Sequence, residues 1–318
     1  MAVILQVALD FVDLHRAVKV AEEAIEGGAD WLEIGTPLIK SEGMNAVRHL
    51  RKVFPGVTLL ADMKTMDAGR AEMEMAAKAG ANIAVVMGDA PDSTIKECIQ
   101  AGKNYGIKVC VDFINSSKVE ERVADIEKWG ADYIAVHTAI DDQMHGKTPF
   151  STLQRICSKV KIPVAVAGGI NSENVIDAVN AGASIVIVGG YISKSKDAKI
   201  AAESIKTAIK ENKRVGTTLF KRVTCEGIRE ALTKLSTANI SDGGHRAESI
   251  TGLYPIYQNI KLIGNAVTVR TFPGDWAKPV EAIDIAKEGD VIVIDAGGVG
   301  PAIWGELATH SALQKKIS

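Results

Sequence analysis

Residues 181–190, with the sequence AGASIVIVGG, end a helical pattern at a glycine and continue into an apolar strand. Three earlier segments share this plan, namely GGADWLEIG at 27–35, AGANIAVVMG at 79–88 and WGADYIAVHT at 129–138. Their central glycines recur about every fifty residues, at Gly28, Gly80, Gly130 and Gly182. Because this spacing suits two strand–helix units per repeat, it predicts eight such units in roughly the first two-thirds of the chain.

A second set of apolar runs lies between the repeats, with the sequences AVILQVALD, VTLLAD, IKVCVD and IPVAVAGG. The two sets predict strands near 2–9, 30–36, 57–63, 82–87, 107–112, 132–137, 162–168 and 184–189. Strands that are apolar almost throughout are typical of a parallel sheet covered on both faces. Their even alternation with helices favours a closed TIM (β/α)8 barrel of the α/β class over an open doubly wound sheet.

The barrel is predicted to occupy residues 1–213, because the last helical pattern, DAKIAAESIKTAIKENK, ends near Lys213. After a short linker, residues 217–318 predict a smaller α/β domain that we expect to be incomplete. In this domain TCEGIREALTKLSTANISDGG predicts a helix that ends in a polar turn. IKLIGNAVTVRTF and DVIVIDAGG predict strands, and AIWGELATHSALQKK predicts a further helix.

The composition excludes several classes of function. A net charge of −2 provides no basic pattern for direct binding to nucleic acid or to an anionic membrane. No apolar run is long enough for a transmembrane helix, and the first residues, MAVILQVALDF, lack the basic flank and cleavage site of a signal peptide. The cysteines are scattered and are expected to be reduced core residues, at Cys98, Cys110, Cys157 and Cys225. We therefore expect a cytoplasmic protein.

Polar residues follow the predicted strands, at the point where each strand ends. In TIM barrels the active site lies at this carboxyl-terminal face. The strand ends supply Asp10, Glu33, Asp62 with Lys64, Asp112 and His137, followed by the glycine pairs Gly168–Gly169 and Gly189–Gly190. The sequence therefore predicts an active site at this mouth of the barrel.

Glu33 and Asp62 are candidate metal ligands. They end neighbouring strands, so their carboxylates are expected to face each other across roughly 5–7 Å. Two hard oxygen ligands with room for water and substrate suit Mg²⁺, and Mn²⁺ is an alternative that the sequence leaves open. An ion pair with Lys64 is the competing interpretation for either acid, but the presence of both acids favours the metal.

Lys64, Asp67 and His137 are candidate catalytic residues. A lysine between acids stays charged and can stabilise a developing oxyanion. Of the six histidines, His137 is the one expected at a strand's carboxyl end, where imidazole can transfer protons near neutral pH. A hydrogen-bonded core histidine is the alternative. Asp67 lies further along the chain and could instead be the N-cap of the helix AGRAEMEMAAKAG.

The glycine pairs Gly168–Gly169 and Gly189–Gly190 predict a phosphate site. Because glycine has no Cβ, backbone N–H groups there can approach a phosphate. The loops after strands seven and eight commonly bind phosphate in barrels. Asp10 and Asp112 either accept hydrogen bonds from a polyol substrate or anchor Lys64, and the sequence leaves both roles open.

The spacing D-x-K-x-x-D at Asp62, Lys64 and Asp67 resembles the orotidine-monophosphate decarboxylase superfamily. More narrowly, residues 1 to about 210 resemble the 3-hexulose-6-phosphate synthase family. The matching segments are LEIGTPLIKSEGMNAVRHLR, LLADMKTMDAG, VCVDFIN, VHTAIDDQ, VAVAGGIN and IVIVGGYI. The related 3-keto-L-gulonate-6-phosphate decarboxylases typically have glutamate in place of Asp112 and an arginine near Tyr191. This chain has neither, which favours the synthase family.

The resemblance implies a Mg²⁺-dependent aldol condensation of formaldehyde with D-ribulose 5-phosphate to D-arabino-3-hexulose 6-phosphate, and the reverse cleavage. A metal held by Glu33 and Asp62 would chelate the oxygens of a 1,2-enediolate. His137 would act as the acid/base, and Lys64 would stabilise charge or relay the proton. The resemblance also implies a homodimer in which Asp67 reaches into the partner's site. A decarboxylase of the same superfamily is the alternative.

The last hundred residues resemble the family of ribonuclease E activity regulators and 4-hydroxy-4-methyl-2-oxoglutarate aldolases. The matching segments are STANISD, GNAVTV, GDVIVIDAGG and AIWGELAT. In the aldolases, segments like WGEL at 304–307 supply backbone amides to pyruvate. The family's later G-x-R-D segment has no counterpart in this sequence, so we expect no aldolase activity from this region. It is expected to be truncated, structural, or a regulatory module that binds a partner.

Overall fold

A computed structural model describes residues 3–139, 148–217, 227–257 and 260–317 of the 318-residue chain. The chain divides into two compact units, residues 1–222 and 223–318. Three features of the sequence lie outside the described residues: Ala2 in the first predicted strand, the segment IDDQ at 140–143, and Cys225. In the described part of the chain, no helix has the length and apolar composition needed to cross a membrane.

The first unit is a closed barrel of eight parallel strands. They are β1 (Ile4–Leu9), β2 (Trp31–Ile34), β3 (Thr58–Thr65), β4 (Ile83–Met87), β5 (Lys108–Asp112), β6 (Tyr133–His137), β7 (Val164–Ala167) and β8 (Ile185–Val188). Each strand pairs with the next along the chain, and β8 closes the barrel by pairing with β1. The predicted TIM barrel is therefore confirmed, and the open doubly wound sheet is excluded.

Helices connect the strands and cover the barrel. They are α1 (Leu14–Glu26), α2 (Thr36–Glu42), α3 (Met44–Val53), α4 (Gly69–Ala79), α5 (Asp92–Tyr105), α6 (Val119–Trp129), α7 (Phe150–Cys157), α8 (Val175–Asn180), α9 (Gly190–Ser193) and α10 (Ala198–Glu211). Asp13 caps α1 by accepting a hydrogen bond from the Arg16 amide. Asp197 caps α10 in the same way, and this last barrel helix ends at Glu211, close to the predicted Lys213.

The alternation of side chains along a strand brings polar residues to the barrel mouth. Leu60 of β3 packs in the small apolar cluster inside the barrel. Asp62 lies two residues further along the same strand, so its carboxylate faces the same side nearer the mouth. Ala135 and His137 of β6 repeat this arrangement. The strands thus deliver acids and imidazole to one end of a packed apolar core.

β3 is longer than predicted and contains a bulge. The sequence predicts its end near residue 63, whereas the strand continues to Thr65. Pairing with β4 shifts register between Ala61 and Thr65, and Lys64 within this irregular stretch has a φ of +47°. Because a bulge re-aims the side chains around it, Lys64 remains at the mouth although the strand continues past it.

The second unit is built on a parallel two-stranded sheet of β9 (Ala266–Arg270) and β10 (Val291–Asp295). Its helices are α11 (Ile228–Thr233), α12 (Thr237–Gly243), α13 (Ala277–Ile285) and α14 (Glu306–Gln314). The single helix predicted before residue 244 is wrong over its described part. Ser236 interrupts it and starts α12 by accepting a hydrogen bond from the Asn239 amide.

Candidate active site

Lys64 is the centre of a polar cluster at the barrel mouth. Its Nζ lies 3.0 Å from a carboxylate oxygen of Asp62 and 3.0 Å from one of Asp112. Both aspartates are buried, with side chains 9% and 5% exposed. Burial alone would lower the pKa of Lys64, but the charges of Asp112 and Asp62 outweigh burial and raise it. Lys64 is therefore a fixed positive charge at the mouth.

Asp112 links Lys64 to His137. Its Oδ2 accepts a hydrogen bond from Lys64 and lies 3.5 Å from Nδ1 of His137, while its Oδ1 accepts a hydrogen bond from the Ile114 amide. Burial would raise the pKa of Asp112, but the hydrogen bond and charge of His137, together with Lys64, lower it overall. The sequence leaves two roles open for Asp112, namely binding the substrate and anchoring Lys64, and the structure contains the contact with Lys64. Direct binding of substrate by Asp112 stays a prediction.

Glu33 and Asp62 lie close enough for the charge of Asp62 to act on Glu33. Glu33 is buried and accepts a 2.5 Å hydrogen bond from Nε2 of Gln6. Asp62 accepts a 2.8 Å hydrogen bond from the Thr36 hydroxyl. Burial raises the pKa of Glu33 well above its ordinary value, and the charges of Asp62 and Asp10 raise it further. Mutual repulsion of these acids favours a cation among them.

Asp10 lies between the ends of β2 and β8. A Cβ at Gly35, just after β2, would lie 2.3 Å from Oδ1 of Asp10. A Cβ at Gly189, just after β8, would lie 3.3 Å from its Oδ2. Asp10 is exposed by surface area, but the surrounding loops partly desolvate its carboxylate, and this desolvation together with the charge of Asp62 raises the pKa of Asp10. The two glycines therefore make room for a fourth carboxylate at the mouth.

The glycine pairs occupy the loops after β7 and β8, where the sequence places them. Gly168 and Gly169 have φ angles of +117° and +68°, a region that favours glycine. A Cβ at Gly168 would also lie 2.7 Å from the Thr138 carbonyl oxygen. Gly189 leaves space beside Asp10 that a Cβ would crowd, and Gly190 begins α9. These loops are therefore close-packed against the mouth, and phosphate binding by them stays a prediction.

Asp67 lies apart from the mouth cluster among the described residues of this chain. It is exposed, and its Oδ1 accepts a hydrogen bond from the Ala68 amide. The alternative role as N-cap of α4 is wrong, because that helix begins at Gly69 and Ala68 occupies the N-cap position. Asp67, Arg70 and Ser93 instead line a groove of about 390 Å³ at the starts of α4 and α5.

Two residues that sequence reasoning missed hold the acids in place. Gln6 is 1% exposed and donates to Glu33, and Thr36 donates to both the carboxylate and the carbonyl of Asp62. A signal was available for Gln6, because it is the one polar residue of the strand ILQVAL. Thr36 carries a weaker signal, since it is a small hydroxyl residue at the start of α2, just after β2.

The donor set at the mouth fits a divalent cation that shares its coordination with substrate or water. Across the described residues, no three Asp, Glu, His or Cys side chains are grouped so as to hold a metal ion on their own. Glu33 and Asp62 supply two hard oxygen ligands, and Mg²⁺ is often bound by one or two carboxylates together with substrate oxygens. A cation there would also relieve the repulsion that raises the pKa of Glu33.

Comparison with known proteins places the first unit in a family. Residues 4–205 match the family described as orotidine 5′-phosphate decarboxylase / HUMPS. The 3-hexulose-6-phosphate synthase of Bacillus subtilis (strain 168) is 39% identical over 206 residues, which cover 64% of this chain and 98% of that relative. The crystal structure of 3-hexulose-6-phosphate synthase from Salmonella typhimurium is 36% identical with a TM-score of 0.63, covering 65% of this chain and 98% of its own.

More distant matches concern the fold and the second unit. The structure of 3-keto-L-gulonate-6-phosphate decarboxylase from Vibrio cholerae is 24% identical with a TM-score of 0.59, covering 66% of this chain and 99% of its own. At that identity the likeness shows the fold alone. Residues 237–318 match the family described as Aldolase/RraA. Because the match to the barrel spans more than half of the sequence, the chain belongs to the orotidine 5′-phosphate decarboxylase / HUMPS family.

Proposed function

We propose that the barrel catalyses the aldol condensation of formaldehyde with D-ribulose 5-phosphate to D-arabino-3-hexulose 6-phosphate, and the reverse cleavage. The observation that carries this proposal is the cluster of Lys64 between buried Asp62 and Asp112, with Asp112 also beside His137. Such a cluster combines an acid/base group with a fixed positive charge, the two elements that formation of a sugar enediolate requires. The 39% identity to the synthase of B. subtilis supports the choice of substrates.

The proposed reaction begins at C1 of ribulose 5-phosphate. His137 removes a proton from this carbon, which gives a 1,2-enediolate with negative charge on oxygen. C1 then forms a bond with the carbon of formaldehyde, and the formaldehyde oxygen takes up a proton to become a hydroxyl group. Asp112, 3.5 Å from Nδ1 of His137, orients the imidazole and balances its positive charge while it holds the proton.

Lys64 stabilises the enediolate in this proposal. Asp62 and Asp112 hold its ammonium group from two directions, each at 3.0 Å. Because the charge is already fixed in place, little reorganisation is needed as negative charge develops on the sugar. The raised pKa of Lys64 keeps the ammonium group charged across the physiological range.

We further propose that Glu33 and Asp62 hold Mg²⁺, for which Mn²⁺ can substitute. When bound, the ion supplies Lewis-acid stabilisation of the enediolate oxygens. Gln6 and Thr36 keep the two carboxylates in place through hydrogen bonds of 2.5 Å and 2.8 Å. Supporting partners of this kind fix the orientation of metal ligands.

The remaining mouth residues bind the sugar phosphate. The loops of Gly168–Gly169 and Gly189–Gly190 take the phosphate group, because backbone amides at glycines can approach it closely. Asp10, held between the loops after β2 and β8, accepts hydrogen bonds from sugar hydroxyl groups. Asp112 is available for the same role beside its contact with Lys64.

We also propose a homodimer in which Asp67 acts in the partner's site. Asp67 is exposed in a groove together with Arg70, whereas the candidate groups of its own chain gather around Lys64. A cytoplasmic location is part of the proposal as well. Free thiols at Cys98, Cys110 and Cys157 support it, since cytosolic proteins keep their cysteines reduced.

The test of this function is product formation by the full chain. The protein is incubated with ribulose 5-phosphate, ¹³C-formaldehyde and Mg²⁺, and carbon NMR is expected to show a new labelled hydroxymethyl group in a hexulose phosphate. A parallel incubation uses 3-keto-L-gulonate 6-phosphate and measures released CO₂. Turnover of the gulonate derivative alone would replace the aldolase proposal with a decarboxylase.

A further inference from the structure

Four hydroxyl groups meet next to the glycine-pair loops of the barrel. The hydroxyl of Tyr191 lies 3.0 Å from that of Ser172, 3.0 Å from that of Ser204 and 3.0 Å from that of Thr217. Ser172 is fully buried, and Tyr191 is 4% exposed. A buried polar network whose members all have partners specifies one arrangement of the segments that it joins.

Each hydroxyl belongs to a different part of the first unit. Tyr191 directly follows Gly189–Gly190, and Ser172 lies three residues beyond Gly169 in the loop after β7. Ser204 is part of α10, and Thr217 belongs to the chain that leaves this last barrel helix. The Tyr191 hydroxyl therefore joins the two glycine-pair loops to each other and to the chain leaving the barrel.

Residues 214–217, which we name the exit segment, are also bound to the loop after β7 by main-chain contacts. The Val215 amide donates a 3.0 Å hydrogen bond to the Ser172 carbonyl, and the Ser172 hydroxyl donates a 2.8 Å bond to the Val215 carbonyl. Arg214 donates to the carbonyl of Glu173 at 3.2 Å. The exit segment is thus hydrogen-bonded to the barrel at Arg214, Val215 and Thr217.

The loop that carries Ser172 is in turn tied to the first glycine pair. Nδ2 of Asn174 donates a 3.0 Å hydrogen bond to the Gly169 carbonyl, and Oδ1 of Asn174 accepts one of 2.8 Å from the Asn171 amide. A continuous set of hydrogen bonds therefore runs from the exit segment through Ser172 to Gly169. Tyr191 extends this set to the second glycine pair.

We propose that Tyr191 is a positioning residue for sugar-phosphate affinity, and that through it the exit segment forms part of the phosphate-binding half of the barrel. The inference rests on the proposed function, in which both glycine-pair loops bind the phosphate. Losing the Tyr191 hydroxyl releases the two loops from each other and weakens phosphate binding. The ion pairs of Lys64 with Asp62 and Asp112 do not involve this hydroxyl, so the chemical step is left intact.

The test is Tyr191→Phe in the full chain. Removing one ordinary hydrogen bond changes an equilibrium constant by about 2- to 10-fold, so the KM for ribulose 5-phosphate should rise by this factor. The inhibition constant of inorganic phosphate should rise equally, whereas kcat and the KM for formaldehyde, which carries no phosphate, should stay unchanged. Thr217→Val, which removes the hydroxyl of the exit segment, should act in the same direction.

Tyr133→Phe is the matched control. Tyr133, at the start of β6, is also buried, and its hydroxyl accepts a 3.0 Å hydrogen bond from Lys108 at the start of β5. Both residues lie at the end of the barrel away from the mouth. Equal kinetics of Tyr191→Phe and Tyr133→Phe would overturn the proposal, as would a parallel change in kcat and both KM values. An unchanged KM for ribulose 5-phosphate in Thr217→Val would show that the exit segment has no part in phosphate binding.

The positioning role of Tyr191 can be tested even if the chain lacks the proposed aldolase activity. If the wild-type chain forms no hexulose phosphate, calorimetric titration with inorganic phosphate on the same variants still decides the inference. Weaker phosphate binding in Tyr191→Phe than in Tyr133→Phe supports the positioning role, and equal binding overturns it.

Discussion

Replacing Lys64 by methionine removes a positive charge from between two buried carboxylates and keeps most of the side-chain volume. In the wild type, Nζ lies 3.0 Å from both Asp62 and Asp112, and the Lys64 side chain is 27% exposed. The variant leaves the two acids without this cation. We therefore expect a loss in the free energy of unfolding in addition to the loss of activity.

Protonation limits the size of that loss. Breaking a buried ion pair by removing one partner costs about 3–5 kcal/mol. The variant can instead protonate one aspartate. Starting from the ordinary aspartate pKa of 3.8, this costs about 4 kcal/mol at pH 7 and about 1.6 kcal/mol at pH 5, at 1.36 kcal/mol per pKa unit. We expect a destabilisation of about 3–4 kcal/mol at pH 7 and of no more than about 1.6 kcal/mol at pH 5.

The direction of this pH dependence follows from Asp112. Its pKa is lowered in the wild type, so its contribution to stability is present above pH 3.8 and is lost as the pH falls through its folded pKa. Without Lys64 the folded pKa rises. The stability of the variant should therefore approach that of the wild type as the pH falls from 7 to 5.

Urea unfolding followed by circular dichroism in EDTA measures the effect. With an m-value of about 2–3 kcal/mol per molar, the midpoint of Lys64→Met should fall by about 1–2 M at pH 7. Lys78→Met removes an exposed lysine paired with Glu74 and should leave the midpoint near that of the wild type at both pH values. Two results would show that the ion pairs of Lys64 do not stabilise the barrel as described. One is a midpoint of Lys64→Met equal to that of Lys78→Met at pH 7, and the other is a fall in the midpoint at pH 5 as large as the fall at pH 7.

Four further predictions concern the mouth. Burial and nearby charges raise the pKa of Glu33, so its ionised form destabilises the metal-free barrel as the pH rises through its folded pKa. Glu33→Gln should therefore have a higher melting temperature than the wild type in EDTA at pH 8. Mg²⁺ should raise the melting temperature of the wild type but not that of the variant. An equal rise in both proteins would argue against the metal site. Asp62→Ala should form no product, and near-normal activity in excess Mg²⁺ would refute its role as ligand. His137→Asn should lower kcat by about 10²–10⁴-fold with little change in KM, and an unchanged kcat would exclude it as the acid/base. Asp67→Asn and Lys64→Met, each inactive alone, should regain activity when co-expressed, and no recovery would count against a shared site.

The fold was predictable because parallel barrel strands carry a strong local signal. Each is a largely apolar run that ends at or just before a polar residue or a glycine, and the predicted ends lie within two residues of the observed ones. The extension of β3 by two residues beyond its predicted end, to Thr65, coincides with the register shift against β4. Such a shift depends on pairing between strands, which periodicity along one strand does not report.

The sequence predicts residues of the candidate site only where a charged or titratable side chain stands at or near the end of an apolar strand. Glu33 and His137 are conspicuous there because they interrupt apolar runs. The hydrogen bond from Thr36 to Asp62 and the contact of Tyr191 with Ser172 join parts of the chain far apart in sequence. Nothing in the local sequence distinguishes these hydroxyls from the many others in the chain, so identifying them requires the tertiary structure.

We propose that Glu33 and Asp62 hold one divalent cation beside a sugar phosphate bound at the glycine pairs. The most direct measurement is a crystal structure of the full chain with Mn²⁺ and ribulose 5-phosphate, in which anomalous scattering locates the metal. We predict a single Mn²⁺ peak between these two carboxylates, with the phosphate against Gly168–Gly169 and Gly189–Gly190. A metal bound elsewhere, or a phosphate at another part of the barrel, would contradict the claim.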